Sequence, residues 1–265
     1  MARNSPIVYD TDLRVAELYD QTETSVDDIA LIQTLIGKRG PLRVLEPFCG
    51  TGRILIPLAL AGHTLVGLDH SRAMMARAQS KVQQLPVGIQ DRILLVEADV
   101  TRAEWPQGFD LVILGGNCFY ELATAEEQER CIISAAEALK PGGAVYLDND
   151  HMEGELDESW REPGVTKAFP RGVCSDGSRL EGWIETIWHD APARLVRFRR
   201  RTELTLPDGE IVEKEYVQQK HPVSKGEVES WLIAHGFVVE EIYGARDGTP
   251  YTGESERAIF WARRR

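Results

Sequence analysis

A glycine-rich turn that follows a carboxylate is the feature of this sequence best suited to chemistry. An apolar stretch that begins at Val44 runs into Glu46, and Pro-Phe-Cys then leads to Gly50 and Gly52. Glycine allows a backbone to approach a ligand closely, and a helix that starts beyond such a turn directs its free N–H groups at the ligand. The alternative interpretation is a tight connection between a strand and a helix that binds nothing.

Two more acids occupy equivalent positions later in the chain. Asp69 ends the next apolar stretch, where a carboxylate can hold both hydroxyls of a ribose, and Asp99 ends the stretch after that. Ligands of open α/β sheets bind outside the carboxyl ends of the strands. Three acids at three such ends therefore predict one ligand-binding crevice, and their convergence favours a functional turn.

The spacing of the glycines separates two classes of ligand. Nicotinamide dinucleotides are bound by the pattern G-x-G-x-x-G/A, and Leu55 occupies the third position of that pattern here. A dinucleotide is therefore the weaker interpretation.

The elements that position these acids are apolar on both faces. Such runs, with helices between them, indicate a parallel sheet that is covered on both sides. The first five predicted strands span 42–46, 63–69, 92–99, 109–115 and 144–150. Helix starts are predicted from Ser71 and from three capping boxes, which pair Ser25 with Asp28, Thr124 with Glu127 and Ser224 with Glu227.

The pattern changes after His151. Apolar residues alternate with polar ones from Val196 to Leu206, and Asp208-Gly209 is typical of a hairpin turn. We therefore expect a doubly wound, Rossmann-like α/β fold with a seven-stranded, mostly parallel sheet and a small antiparallel β cap inserted after the fifth strand. The last two core strands are predicted at 237–244 and 257–263. The predicted units are a helical segment at 1–40, a core at 41–150 and 223–265, and the cap at 151–222.

Composition excludes several classes of protein. The 265 residues carry a net charge of −12, which disfavours a partner with a phosphate backbone. The four cysteines are widely spaced and form no C-x-x-C, so we expect a reduced, cytoplasmic protein without a metal site. The N-terminus has no apolar signal region, and the most apolar run, 54–61, is too short to span a bilayer.

The succession of motifs from about Val44 to Asp150 resembles the class I S-adenosylmethionine-dependent methyltransferases. The L-K-P-G-G segment at 139–143 is also similar to that family. The resemblance implies S-adenosylmethionine as cofactor. Phe48 stands where the family has the first glycine of its turn, so we expect a less compact turn at that point.

The resemblance implies roles for individual residues. The turn of the family surrounds the methionine part of the cofactor, the acid after the second strand holds the ribose, and the acid after the third strand binds the adenine. The residues implied for the methionine part are Glu46, Cys49, Gly50 and Gly52. Those implied for the nucleoside are Asp69, His70, Asp99 and the backbone of Val100.

Two further segments are similar to a small-molecule branch typified by glycine N-methyltransferases. The stretch 113–122, I-L-G-G-N-C-F-Y-E-L, is similar to a segment that lines the methyl-transfer site, which places Asn117 beside the cofactor. The segment A-E-L-Y-D at 16–20 implies that Tyr19 covers the cofactor. The resemblance therefore implies a small-molecule acceptor, whose identity it does not give.

Three residues are candidates for acting on the acceptor. Methyl transfer from a sulfonium is an in-line displacement, so the site mainly positions the acceptor. Asn117 and Tyr120 follow the fourth strand and are predicted to orient it, the alternative being loop hydrogen bonds and packing. His151 is the candidate general base for an amine or hydroxyl, the alternative being a solvent-exposed loop histidine.

A cluster of arginines in the predicted cap has two interpretations. The favoured interpretation is the solvated face of a strand, on which neighbouring glutamates offset the positive charge. The alternative is a binding site for an anionic substrate. The cluster comprises Arg194, Arg197, Arg199, Arg200 and Arg201.

Three functional hypotheses remain open. The first is a small-molecule N- or O-methyltransferase. The second is a methyltransferase that acts on RNA, DNA or protein, although Asn117 is followed by Cys-Phe-Tyr and not by the Pro-Pro-Tyr of amino-methylating DNA enzymes. The third is a non-catalytic protein that binds S-adenosylmethionine. The sequence does not indicate an oligomeric state.

Overall fold

The computed structural model describes residues 13–150 and 156–265, and these form two sheets with helices around the larger one. The strands of the larger sheet are β1 (Arg43–Pro47), β2 (Thr64–Asp69), β3 (Ile93–Glu97), β4 (Phe109–Leu114), β5 (Leu139–Asp150), β10 (Phe237–Tyr243) and β11 (Arg257–Arg264). The strands of the smaller sheet are β6 (Thr166–Val173), β7 (Arg179–Asp190), β8 (Leu195–Thr205) and β9 (Ile211–Lys220).

The larger sheet confirms the predicted topology. In the described part of the chain it has seven strands in the order β10-β11-β5-β4-β1-β2-β3. The pairs β1–β2, β2–β3, β1–β4 and β4–β5 are parallel, whereas β11 is antiparallel to both of its neighbours. The strand order reverses between β1 and β4, which is where such sheets bind ligands.

Successive residues of the central strands enter opposite halves of the core. Val44 and Leu111 pack in the half formed with α2 (Asp27–Ile36) and α3 (Leu55–Leu60). Leu45 and Val112 pack in the half formed with α6 (Ala125–Ala138) and α8 (Lys225–Ala234). Burial on both faces explains why these strands are apolar throughout. The remaining helices are α1 (Leu13–Thr22), α4 (Arg72–Gln83), α5 (Val87–Gln90) and α7 (Glu158–Arg161).

The smaller sheet is antiparallel and confirms the predicted cap. Its strands run in the order β6-β7-β8-β9, and Gly209 in the turn between β8 and β9 has a φ of 89°. β6, whose sequence contains a proline and a glycine, was not predicted individually as a strand. It is an edge strand with a register irregularity between Ala168 and Arg171, and proline is tolerated at such places.

Two of the three predicted capping boxes differ from the prediction. Ser224 and Glu227 form the complete box at α8. The Thr124 side chain accepts from the N–H of Glu127, but the Glu127 carboxylate accepts from the N–H of Ala123 (2.8 Å). At α2 no side chain caps the first turn, because Asp28 is paired with Arg53. A tertiary ion pair therefore replaces the predicted cap.

Helix α1 joins the two sheets. Its Asp20 carboxylate accepts from Thr51 Oγ1 (2.6 Å) in the glycine-rich turn and from Lys81 Nζ (3.0 Å) on α4. Its Leu18 packs in a small cluster with cap residues, and a Cβ added to Gly172 of β6 would lie 2.6 Å from Leu18 Cδ2. Within the two described ranges no helix is long and apolar enough to cross a bilayer.

Candidate active site

A cavity of about 560 Å³ lies between the larger sheet, α1 and the cap. We call the surface at the carboxyl ends of β1, β2 and β4 the core wall, represented by Glu46, Gly50, Asp69 and Asn117. We call the surface formed by Lys167, Ala168, Ile184 and Arg200 the cap wall. The predicted site residues that line the cavity are Tyr19, Glu46, Cys49, Gly50, Asp69, His70, Asn117 and Tyr120.

The glycine-rich turn keeps a left-handed backbone at three alternate positions. Phe48, Gly50 and Gly52 have φ angles of 61°, 54° and 77°. Phenylalanine at position 48 thus adopts the conformation that glycine favours, and the expectation of a less compact turn stays a prediction. This conformation costs a residue with a Cβ about 1–2 kcal/mol. The ring of Phe48 packs against the core, which offsets part of that cost.

The turn also packs tightly against β2. A Cβ added to Gly67 would lie 2.6 Å from Leu55 Cδ1 and 2.8 Å from Cys49 Sγ. Sequence reasoning missed Gly67, since an isolated glycine in a strand gives only a weak signal of close approach. The Cys49 thiol is buried, and this burial raises its pKa well above the ordinary value. Cys49 therefore acts here as an apolar contact.

Glu46 is a buried carboxylate with an unused acceptor. Its side chain is only 4% exposed, and Oε2 has no hydrogen-bond partner among the described residues. The N–H of Leu55 donates to the carboxylate, and burial raises the pKa of Glu46 well above its ordinary value although Arg53 opposes this. An ammonium group of a ligand in the cavity would supply the missing partner. The site therefore fits the amino group of a methionine moiety.

Asp69 holds the turn and lines the cavity. Its Oδ2 accepts from the N–H of Gly50 (2.9 Å) and its Oδ1 from the N–H of Ser71 (2.8 Å). His70 Nδ1 lies 4.0 Å from Oδ1. Both oxygens of the carboxylate thus help to shape the turn that lines the cavity. A Cβ added to Gly50 would enter open space, which agrees with a ligand lying against this backbone.

Three predicted cofactor residues, Gly52, Asp99 and Val100, are not among the residues that line the cavity. Asp99 lies beyond the end of β3, where its carboxylate accepts from the N–H (3.0 Å) and Oγ1 (2.7 Å) of Thr101. Val100 is buried in the core. Gly52 supplies a positive φ and donates its N–H to the carbonyl of Cys49 (2.9 Å). Their cofactor roles stay predictions.

Asn117 joins the loop after β4 to the end of β5. It has a φ of 61°, donates from Nδ2 to Asp150 Oδ2 (2.8 Å) and accepts from the N–H of Asp150 (2.9 Å). Arg257 also donates to Asn117 Oδ1 (2.9 Å). With its side chain engaged in this way, Asn117 positions the loop that lines the cavity.

Tyr120 lies in a 3-10 turn (Cys118–Glu121) between the two walls. Its ring packs edge-on against Trp160, with centroids 5.0 Å apart, and Lys220 Nζ lies 3.7 Å from the ring centroid. Burial raises the pKa of Tyr120 above its ordinary value, so the hydroxyl stays protonated near neutral pH. The third candidate, His151, lies outside the described residues.

Several functional positions were missed or misread from the sequence. Arg53 pairs with Asp28 (2.5 Å) and donates to the hydroxyl of Tyr19, which fixes that tyrosine over the cavity. Arg200 was read as part of a solvated strand face, yet it is buried and lines the cavity. Its burial follows from the alternation of β8, since Val196, Phe198 and Arg200 share one face.

Comparisons with known proteins agree with this geometry. Residues 44–143 match the family described as "Methyltransferase domain". A methyltransferase of Geobacillus sp. (strain WCH70) is 25% identical over 86% of this chain and 87% of its own length. The cypemycin N-terminal methyltransferase of Streptomyces sp is 30% identical over 55% of this chain and 57% of its own length.

The fold recurs in a solved structure. The sugar N-methyltransferase KedS8 from Streptoalloteichus sp ATCC 53650 superposes with a TM-score of 0.71 at 20% identity, over 100% of this chain and 99% of that one. The closer likeness to glycine N-methyltransferases stays a prediction. Residues 44–143 are therefore the methyltransferase domain of this enzyme, and the strand order and the turn with its buried Glu46 agree with the class I S-adenosylmethionine-dependent methyltransferases.

Proposed function

We propose that this methyltransferase transfers its methyl group to an amine or hydroxyl of a small molecule, with nitrogen as the favoured acceptor. The observation that carries the proposal is the cavity itself. At about 560 Å³ it lies in the size range of small-molecule sites, and α1 and the cap cover it. A macromolecular substrate would need an open approach to the core wall.

Each of the three predicted units has its own role in this function. Within residues 1–40, α1 brings Tyr19 over the cofactor. The core binds the cofactor, with Glu46 accepting from its ammonium group and Asp69 from its ribose. The cap, within 151–222, encloses the acceptor. The ion pairs and hydrogen bonds of Asp20 with Thr51, Arg77 and Lys81 support this arrangement, because they hold α1 against the turn.

When bound, S-adenosylmethionine supplies an electrophilic methyl group on a sulfonium. The residues of this chain then have to exclude water and hold the lone pair of the acceptor in line. Asn117 orients the loop after β4, and we expect the protonated hydroxyl of Tyr120, which lines the cavity, to hydrogen-bond the acceptor. His151 remains the proposed base for the departing proton.

Two of the relatives named above favour nitrogen as the accepting atom, while matches of similar identity include ubiquinone biosynthesis O-methyltransferases. The solved relative described above is a sugar N-methyltransferase, and the relative from Streptomyces sp is an N-terminal methyltransferase. The net charge of −12 supports a small molecule over a nucleic acid. The alternatives are a methyltransferase that acts on RNA or protein and a non-catalytic cofactor-binding protein.

Labelled-methyl transfer tests the proposal. The purified protein is incubated with methyl-labelled S-adenosylmethionine and, separately, with the small-molecule, RNA and protein fractions of a cell extract. We expect label in the small-molecule fraction and none with a Glu46→Gln variant. Label in the RNA or protein fraction, or cofactor binding without transfer to any fraction, would overturn it.

A further inference from the structure

Arg200 is a buried cation on the cap wall. It lies on β8, with Ile184 of β7 and Tyr216 of β9 as its register neighbours, and is 4% exposed. Its Nε and Nη1 are buried, and no described residue accepts from either. Burial of a charged donor without a partner is costly. The side chain lines the cavity, so a ligand there can reach it.

Other arginines of the cavity differ in having carboxylate partners. Arg53 pairs with Asp28 (2.5 Å), Arg246 with Asp148 (2.8 Å) and Arg257 with Asp148 (2.5 Å). These pairs hold the core wall together. Arg200 lacks such a structural explanation among the residues that the structure describes.

The surroundings of Arg200 carry an excess of positive charge. Lys220 is 1% exposed and pairs with Glu121 (3.0 Å), whose other oxygen accepts from Gln218 (2.9 Å). Although burial opposes ionisation, Lys220 and Arg200 lower the pKa of Glu121 to about 2. Burial lowers the pKa of Lys220 to about 7, and repulsion by Arg200 and Lys167 contributes. Arg200 and Lys220 thus both act on the carboxylate of Glu121, and Lys167 adds to the positive charge around Lys220.

We propose that the methyl acceptor carries an oxyanion group, a carboxylate, phosphate or sulfate, which binds to Arg200 and Lys167 on the cap wall. The inference rests on the proposed function and adds the charge class of the acceptor. The anion supplies the missing hydrogen-bond acceptors of Arg200 and neutralises the local excess. It also orients the acceptor, because the cofactor groups bind Glu46 and Asp69 on the opposite wall.

Titration with small anions tests the inference. Acetate, inorganic phosphate and sulfate are titrated separately into protein saturated with S-adenosylhomocysteine, so that the cofactor's own carboxylate site is filled. We expect saturable binding of at least one anion to the wild type. Arg200→Met should weaken that binding at least tenfold, and Arg200→Lys should restore part of it. The anion that binds most tightly identifies the class of group.

Arg199→Gln is the matched control. Arg199 neighbours Arg200 on β8 but points to the other face, where it pairs with Glu185 (2.9 Å) and Glu215 (3.6 Å). We expect this variant to bind anions like the wild type.

Thermal unfolding separates ligand binding from a structural role. Removal of a buried charge with two unsatisfied donors should leave the Tm of the ligand-free Arg200→Met variant unchanged or higher, because Lys220 still pairs with Glu121 when the attraction of Glu121 to Arg200 is lost. A lower Tm, no saturable anion binding to the wild type, or equal binding to Arg200→Met would each overturn the inference. S-adenosylhomocysteine binding is measured in the same titrations. If the wild type does not bind S-adenosylhomocysteine, the proposed function itself is contradicted.

Discussion

The core wall of the cavity is built from short contiguous segments, whereas the cap wall collects side chains from strands far apart in the sequence. Glu46 and Gly50 lie within one turn, and Asp69 ends the strand that pairs with it. Lys167, Ile184 and Arg200 come from three successive antiparallel strands. Local backbone geometry determines the shape of the first kind of wall, and strand register determines the shape of the second.

The two walls also differ in charge. On the core wall one oxygen of the buried Glu46 has no donor among the described residues, and on the cap wall two donors of the buried Arg200 have no acceptor among them. The ligands that complement these walls carry cationic and hydroxyl groups toward the core wall and an anionic group toward the cap wall. The cofactor accounts for the first requirement and the proposed acceptor for the second. Variants on the two walls should therefore fail in different ways.

The largest expected effect is on the rate of transfer. If His151 is the general base, His151→Ala should lower the single-turnover rate by roughly 10²- to 10⁴-fold and leave cofactor affinity nearly unchanged. If positioning dominates, Asn117→Ala and Tyr120→Phe should cost more, because a displacement near 1 Å can cost about 10²-fold. His189→Ala, on β7, is the control. Three rates near that of the wild type would place the acceptor on the cap wall alone.

Glu46→Gln should abolish tight cofactor binding. A hydrogen bond to a charged group contributes about 1.5–3 kcal/mol, so affinity for S-adenosylmethionine should fall about 10- to 150-fold by calorimetry. Protonation of the raised-pKa carboxyl in the wild type opposes binding, so wild-type affinity should increase as the pH rises. The variant should lack this dependence. An equal pH dependence in both proteins would contradict the role of Glu46.

Glu46→Gln should stabilise the ligand-free protein, although it weakens cofactor binding. Because the folded-state pKa of Glu46 is raised, its contribution to stability is fully present below the ordinary carboxyl pKa of about 4.3 and is lost as the pH rises toward the raised value. Ligand-free Glu46→Gln should therefore be more stable than the wild type near pH 7, and the difference should shrink in acid. Denaturant unfolding at several pH values measures it.

Asp69→Ala should weaken cofactor binding at least tenfold. It removes the acceptor for the ribose and also the acceptor for the N–H of Gly50, which shapes the turn. Glu97→Gln is a suitable control, because Glu97 lies on the next strand, where it pairs with Arg72 outside the cavity. Equal affinities of Asp69→Ala and the wild type would remove Asp69 from the cofactor site.

Local patterns in the sequence were sufficient to predict the parallel sheet and the core wall. Continuous apolar runs and helix signals are local, and the motif residues around Glu46 lie close together in the chain. The partner of Asp28 could not be predicted, since Arg53 reaches it only after folding. Arg200 faces inward because side chains alternate between the two faces of β8. The sequence interpretation grouped it with its outward-facing neighbours.

The smallest expected effect concerns Phe48, which occupies the position of a glycine in related turns. At an ordinary φ, alanine is more stabilising than glycine by about 0.5–1 kcal/mol. At the φ of 61° found here the order should reverse, because a Cβ costs about 1–2 kcal/mol in this conformation. Both Phe48→Ala and Phe48→Gly lose the same packing of the ring against the core. Phe48→Gly should therefore be the more stable of the two by up to about 1 kcal/mol in urea unfolding with equal m-values. If Phe48→Ala is the more stable variant, the turn does not hold a left-handed backbone at this position, and the core wall owes its shape to Gly50 and Gly52 alone.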